Sequence, residues 1–248
     1  MLKKGQITLF IIMGIIILIT ISLVLILKIN SSENTIPKIT NIFSSKESLE
    51  NQIEGCIKDS LKTTIKINSQ QGGYYFLPLE STFYETGDIF ASAPFYMVNK
   101  EKTIISKSEL AEEISYGIIS ETEECINKIE NLKYDEENIE VEIKFVGNKI
   151  LVDVNLKSWI EKENTQIELG TNYQSEVESE YIKLYNIAIE ITQLEEELVC
   201  LSCIHNIAEK YNIEISMIDY IEENNYIIIY NIFGEELIYS FAHQEEIK

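Results

Sequence analysis

Hydrophobic residues are arranged along this chain in three patterns: one unbroken run, several stripes at helical spacing, and several strict alternations. The unbroken run is Ile7–Leu27. It holds no charged side chain, and only Thr8, Gly14, Thr20 and Ser22 interrupt the large apolar residues. As a helix it would extend roughly 30 Å, the thickness of a bilayer's hydrocarbon core. A helix also satisfies its own backbone hydrogen bonds, which lipid cannot do. The run outlasts the 7–15 apolar residues usual in a cleaved secretory signal, and no small-x-small site follows it. The reading is an uncleaved anchor over 1–28, then a polar linker over 29–45 broken by Pro37.

Helical spacing comes next. Ile53, Cys56, Ile57, Leu61, Thr64 and Ile67 predict a helix over 46–69, opened by the capping pattern Ser44-x-x-Glu47 and closed by Gly72-Gly73. Leu110, Ile114, Ile118, Cys125, Ile129 and Leu132 predict a second over 107–132, opened by Ser106-x-x-Glu109. A third, over 178–197, carries Ile182, Tyr185, Ile189 and Thr192.

Alternation marks the strands. Ile139–Phe145 and Ile150–Leu156 flank Gly147-Asn148, the signature of a two-residue hairpin. A further strand is expected near 165–175, and short strands and turns across the aromatic stretch 74–105. The last fifty residues read as a short helix from Cys200 to Tyr211 and a meander of Ile213–Tyr220, Tyr226–Ile232 and Glu236–Ala242. The expected class is α+β: one N-terminal transmembrane helix, then an extracytoplasmic domain of helices packed on a largely antiparallel sheet. Two parts are expected in that domain, 46–198 and 199–248.

Charge orients the anchor. Residues 1–32 hold three lysines and no acid, and Lys3 and Lys4 before the run favour a cytoplasmic N-terminus. All 41 carboxylates and the other 17 lysines follow, a formal charge of −24 for residues 33–248. The chain has no arginine, the preferred bidentate reader of phosphate. Such a surface does not bind nucleic acid, which is recognised through basic patches.

The N-terminal Lys3-Lys4-Gly5-Gln6 ahead of the apolar run resembles the class III, pilin-type signal of archaea, whose peptidase would cut between Gly5 and Gln6 and leave the span attached. Phe10 stands where filament-forming members commonly carry Glu, and Pro37 interrupts the long helix a bacterial-type pilin would run there. The segment, with the Cys56 helix, Gln71-Gly72-Gly73-Tyr74 and Leu77-Pro78, more closely resembles uncharacterised single-pass proteins of archaeal genomes. That resemblance implies a cell-membrane location with the C-terminal domain outside.

Candidate chemistry is sparse. Cys56 and Cys125 sit on apolar helix faces, where they are either a disulfide, permitted by an oxidising compartment, or two buried thiols. Cys200-x-x-Cys203 at a helix start is open to four readings: a structural disulfide, a redox-active pair, free thiols, or zinc ligands with His205 and His243. Ile204 after the second cysteine excludes covalent haem attachment, which requires His there. No nucleophile elbow, phosphate loop, dinucleotide fingerprint or calcium loop is present, so no catalytic residue, metal or cofactor is assigned. Tyr74, Tyr75, Phe83, Tyr84, Phe95 and Tyr96 form the candidate binding surface, set against burial in a small sheet. The expected function is that of a membrane-anchored binding or scaffolding module of the archaeal envelope, holding lipid through 7–27 and an envelope protein or glycan through its domain. The alternatives are a pilin-like filament subunit and a tethered thiol–disulfide oxidoreductase.

Overall fold

The computed structural model describes residues 46–247 apart from 87–88, 163–164 and 195–199; at 84–86, 89–91, 162 and 165 it describes backbone alone. The apolar run 7–27, the linker 29–45 and the Ser44 cap lie outside the described residues. Among the described residues no helix is long and apolar enough to cross a membrane. Residues 45–248 form one compact unit of α+β class.

Four helices are described: α1 (Lys46–Gln70), α2 (Lys107–Ile126), α3 (Tyr181–Leu194) and α4 (Leu201–Tyr211). The α2 start is as its sequence dictates. Ser106 accepts the Glu109 N–H while the Glu109 carboxylate accepts the Ser106 N–H at 2.7 Å, a reciprocal capping box. Hydrogen bonding to Ser106, its side chain first and its backbone second, holds the Glu109 carboxyl below its ordinary value. The α2 end differs from expectation. The helix stops at Ile126, the chain reverses at Asn131 with φ 63°, and Leu132 enters a strand. Ile129 and Leu132 keep helical spacing only by coincidence. The helix caps at Asn127, still right-handed, and Asn131, tolerant of the left-handed region, then turns the chain into the strand at Leu132.

The main sheet orders β1 (Ser81–Thr86), β2 (Ile89–Val98), β12 (Ile238–Glu246), β11 (Asn225–Phe233) and β10 (Glu214–Glu222), and β3 (Glu101–Lys102) also pairs with β2. Every pairing is antiparallel except β12 with β2. The C-terminal β10–β12 therefore form one end of a sheet whose other strands come from 81–102, and they belong to the same compact unit. β11 is buried on both faces, which explains its unbroken Tyr-Ile-Ile-Ile-Tyr run. One face (Ile228, Tyr230, Ile232) joins the main core; the other (Ile227, Ile229) packs with Ala93 and Ala242 in a second, smaller cluster. The sheet curls over that cluster far enough for Thr82 on β1 to hydrogen-bond Tyr220 on β10, the strand at the opposite end of the order.

Two three-stranded sheets complete the fold: β4 (Leu132–Tyr134) with β7 (Ser158–Lys162) and β8 (Thr165–Glu168), and β5 (Glu140–Val146) with β6 (Lys149–Asn155) and β9 (Asn172–Glu178). The β5–β6 hairpin turns at Gly147-Asn148, with Gly147 at φ 61°. Its inner face presents Val141, Ile143, Ile150, Val152 and Val154 to the core. Its outer face carries the ion pairs Lys144–Asp153 and Lys149–Glu176 across neighbouring strands. The single strand expected near 165–175 is two strands, β8 and β9, which belong to different sheets.

Helix α1 connects these parts. It packs on α2, on β9 and on β12. Its buried residues run from Leu49 through Ile53, Ile57 and Leu61 to Ile65 and Ser69, more than half the circumference. At the crossing with α2, a Cβ on Gly117 would stand 2.4 Å from the Thr64 side chain. Gly55, on the exposed side of α1, meets nothing within 4 Å. Gly117→Ala should therefore destabilise residues 45–248 by about 1–3 kcal/mol through overpacking. Gly55→Ala should instead be neutral or stabilising by up to about 1 kcal/mol through helix propensity. Urea unfolding of the two variants measures both.

Candidate functional site

Three features carry the chemistry: two disulfides, a buried tyrosine group, and a loop displaying apolar side chains.

Cys56 on α1 and Cys125 on α2 are joined, with Cα atoms 5.7 Å apart and 69 residues of separation. Cys56 is buried and Cys125 packs against the core. On a chain-entropy account a loop this long contributes roughly 4 kcal/mol. Cys200 and Cys203 are joined across three residues, with Cα atoms 5.1 Å apart. Cys200 is the N-cap of α4, and its sulfur accepts the Cys203 N–H at 3.3 Å. The zinc arrangement is not assembled. His243 is buried against the Tyr230 and Phe241 rings, with Nε2 3.1 Å from Thr192 Oγ1. His205 is exposed and stands 3.2 Å from Glu209. Among the described residues no three His, Cys, Asp or Glu side chains gather as metal ligands.

The aromatic stretch does not form one surface. Tyr96 is fully buried; its hydroxyl donates to Gly72 O at 2.9 Å and meets the Tyr239 hydroxyl at 2.6 Å. Phe95 packs beside the second cluster and Tyr74 beside the main core. Tyr75 is half-buried and donates to Glu121 at 2.9 Å. Only Phe83 of the expected set is strongly exposed. The side chain of Tyr84, like Gly5 and Gln6, lies outside what is described. The pleat accounts for the split: neighbouring strand residues face opposite ways, so Phe95 and Tyr96 cannot share a surface.

What is displayed instead is Phe76, Leu79 and Phe83, at 64%, 106% and 76% exposure. Phe76 and Leu79 were absent from the expected set; Leu77-Pro78-Leu79 without helical or alternating context is the signal that marks them. The loop is anchored at its root. Gly72 and Gly73 reverse the chain at φ 54° and 91°, where a Cβ would stand 2.6 Å from Pro94 and 2.7 Å from Leu110. Asn68 Nδ2 donates to Gly73 O at 3.2 Å. Glu113 of α2 accepts the Tyr75 N–H at 2.8 Å and the Phe76 N–H at 3.3 Å.

Carboxylates fasten backbone in the same way elsewhere. Glu50 accepts the Gly170 N–H at 2.7 Å. Glu180 accepts the Glu236 and Leu237 N–H groups at 2.9 and 3.2 Å, against a glycine whose added Cβ would strike that carboxylate. Part of the chain's acid excess thus holds turns through charge-assisted bonds. Sequence spacing gives no sign of this, because each partner is a distant backbone N–H.

No family model matches the chain, and no curated protein or solved structure matches it.

Burial raises the hydroxyls of Tyr96, Tyr181 and Tyr239 well above the ordinary phenol value. A group bound more tightly to its proton when folded stabilises the fold below the unfolded value and loses that contribution as pH rises past it. Stability should therefore fall above about pH 10, where unfolded tyrosines ionise. In a tyrosinate absorbance titration these three should ionise only in a cooperative step coincident with loss of circular dichroism. Smooth, independent titration of all 14 tyrosines would contradict their burial.

Proposed function

We propose that this chain is a membrane-anchored, extracytoplasmic binding module. Residues 7–27 hold it in lipid, 29–45 tether it, and the domain presents the Phe76–Phe83 segment to an envelope protein or glycan. The observation that carries the reading is the exposure of Phe76, Leu79 and Phe83 on a backbone pinned by Glu113 and Gly72-Gly73. Large apolar side chains on a fixed loop gain contact area at little ordering cost when they bind. The segment follows the end of α1 opposite Lys46, where the linker joins. A 25-residue helix separates the two ends by about 36 Å.

The two cystines support an oxidising compartment, since paired cysteines persist there and not in a reducing cytosol. Lys3 and Lys4 support the same orientation. Phe10 and Pro37 favour an anchor over a filament subunit.

Protease added to intact cells should remove the domain and leave a membrane-held N-terminal remnant. Protection until lysis would overturn the orientation. A photo-crosslinking residue at Phe83 should yield a discrete adduct in cells, while one at Val146, exposed on the ion-paired face, should not. Equal behaviour at the two positions would overturn the assignment of the binding surface.

A further inference from the structure

We propose that Cys200–Cys203 is a thiol–disulfide exchange site for polypeptide dithiols, separate in role from the structural Cys56–Cys125 bridge. The proposal goes beyond the binding reading and does not depend on the Phe76–Phe83 loop.

Three observations carry it. The first is access. Cys200 and Cys203 are both partly exposed, and Leu201 and Ser202 between them are exposed, Leu201 at 63%. An incoming thiol needs access to the pair, and an extended polypeptide needs an adjacent apolar contact; the partial exposure of both cysteines and the exposed Leu201 offer these. In the other bridge Cys56 is buried on α1 where it faces α2, and its partner Cys125 is packed against the core.

The second is what receives charge when the bond opens. The Cys200 sulfur already accepts the Cys203 N–H, and it caps an 11-residue helix. A thiolate formed there keeps that bond and faces the positive end of the helix dipole, which stabilises it as leaving group and as nucleophile.

The third is that opening the bond unties nothing distant. Both sulfurs belong to the first turn of α4. That helix is held independently by Ile204 and Ile207 in the core, by packing on α3 and β10, and by Asn212 at its C-terminal end. The Tyr211 hydroxyl donates to Glu190 of α3 at 2.7 Å, and Lys210 pairs with the same carboxylate at 2.8 Å. A reusable exchange site must survive its own reduction, and this one is built to do so. The Cys56–Cys125 bond instead ties together two helices whose crossing organises the core.

The chemistry is balanced by the partner. A partner thiolate attacks Cys203 Sγ, forming a mixed disulfide and expelling the Cys200 sulfur as thiolate. The partner's second thiolate then attacks its own sulfur in that mixed bond, closing the partner's disulfide and expelling the Cys203 sulfur. One S–S bond breaks and one forms. Two electrons pass from partner to protein, and the two protons lost by the partner's thiols end on Cys200 and Cys203. The reverse sequence with a disulfide-bearing partner restores the oxidised pair.

The purified chain, equilibrated in glutathione buffers of graded ratio, acid-quenched, alkylated and peptide-mapped, tests this. Cys200–Cys203 should open and reclose reversibly while Cys56–Cys125 stays linked and circular dichroism is unchanged. Opening of both bonds together, or loss of structure when Cys200–Cys203 opens, would overturn the proposal. With reduced, unfolded ribonuclease as probe dithiol, the chain should accelerate disulfide formation at least tenfold over the Cys200→Ala/Cys203→Ala variant. Equal rates would overturn it as well.

Discussion

The crossing of α1 and α2 is the constraint on which the rest of the domain depends. Gly117 admits Thr64 where no side chain would fit, and the Cys56–Cys125 bond ties the same two helices. With that pair fixed, α1 has surface left for β9 on one side and β12 on another, and α2 carries β5. The contacts of α1 with two separate sheets make its buried arc too wide for a simple amphipathic stripe. They also place polar Ser60, Thr64, Asn68 and Ser69 among its buried residues. Asn68 and Ser69 work at the far end of the helix. Asn68 holds Gly73, and Ser69 donates to the Ile238 carbonyl on β12. The exit from α1, the start of β12 and the root of the displayed loop are thereby a single joint.

Elements built from neighbouring residues were legible in the sequence. The β5–β6 hairpin, the β10–β11–β12 meander, the Ser106 capping box and the placement of all four described helices rest on patterns within about twenty residues. Elements built from distant residues were not. The parallel pairing of β12 with β2 joins Ala242 to Phe95, and nothing in either strand's alternation specifies the other. Curling of the main sheet, which lets Thr82 reach Tyr220, likewise has no local signature. The last turn of the expected second helix failed for the opposite reason. Its local pattern was good, but the helix caps at Asn127 and the left-handed Asn131 then turns the chain into β4.

The candidate chemistry divides the same way. Four cysteines could be named from sequence, but which bond is long-range and core-packed and which is local and partly exposed needed the fold. Aromatic residues could be counted, but their division between core and surface follows from strand pleat and from the Gly72-Gly73 reversal. Acidic residues gave the least warning. In a chain without arginine, Glu50, Glu113 and Glu180 act as acceptors for turn backbones, so the negative composition serves architecture as well as solubility. One loop so held, the Phe76–Phe83 segment, is the surface on which the binding proposal rests.

The α1–α2 frame is closed covalently by Cys56–Cys125, and the proposed extracytoplasmic location requires that bond to be present in the cell. Free thiols can be alkylated in intact cells, the chain isolated under acid quench, and its peptides mapped without reduction. Cys56 should be recovered linked to Cys125, with no alkylated form of either. Recovery of both as alkylated, unlinked peptides would contradict it.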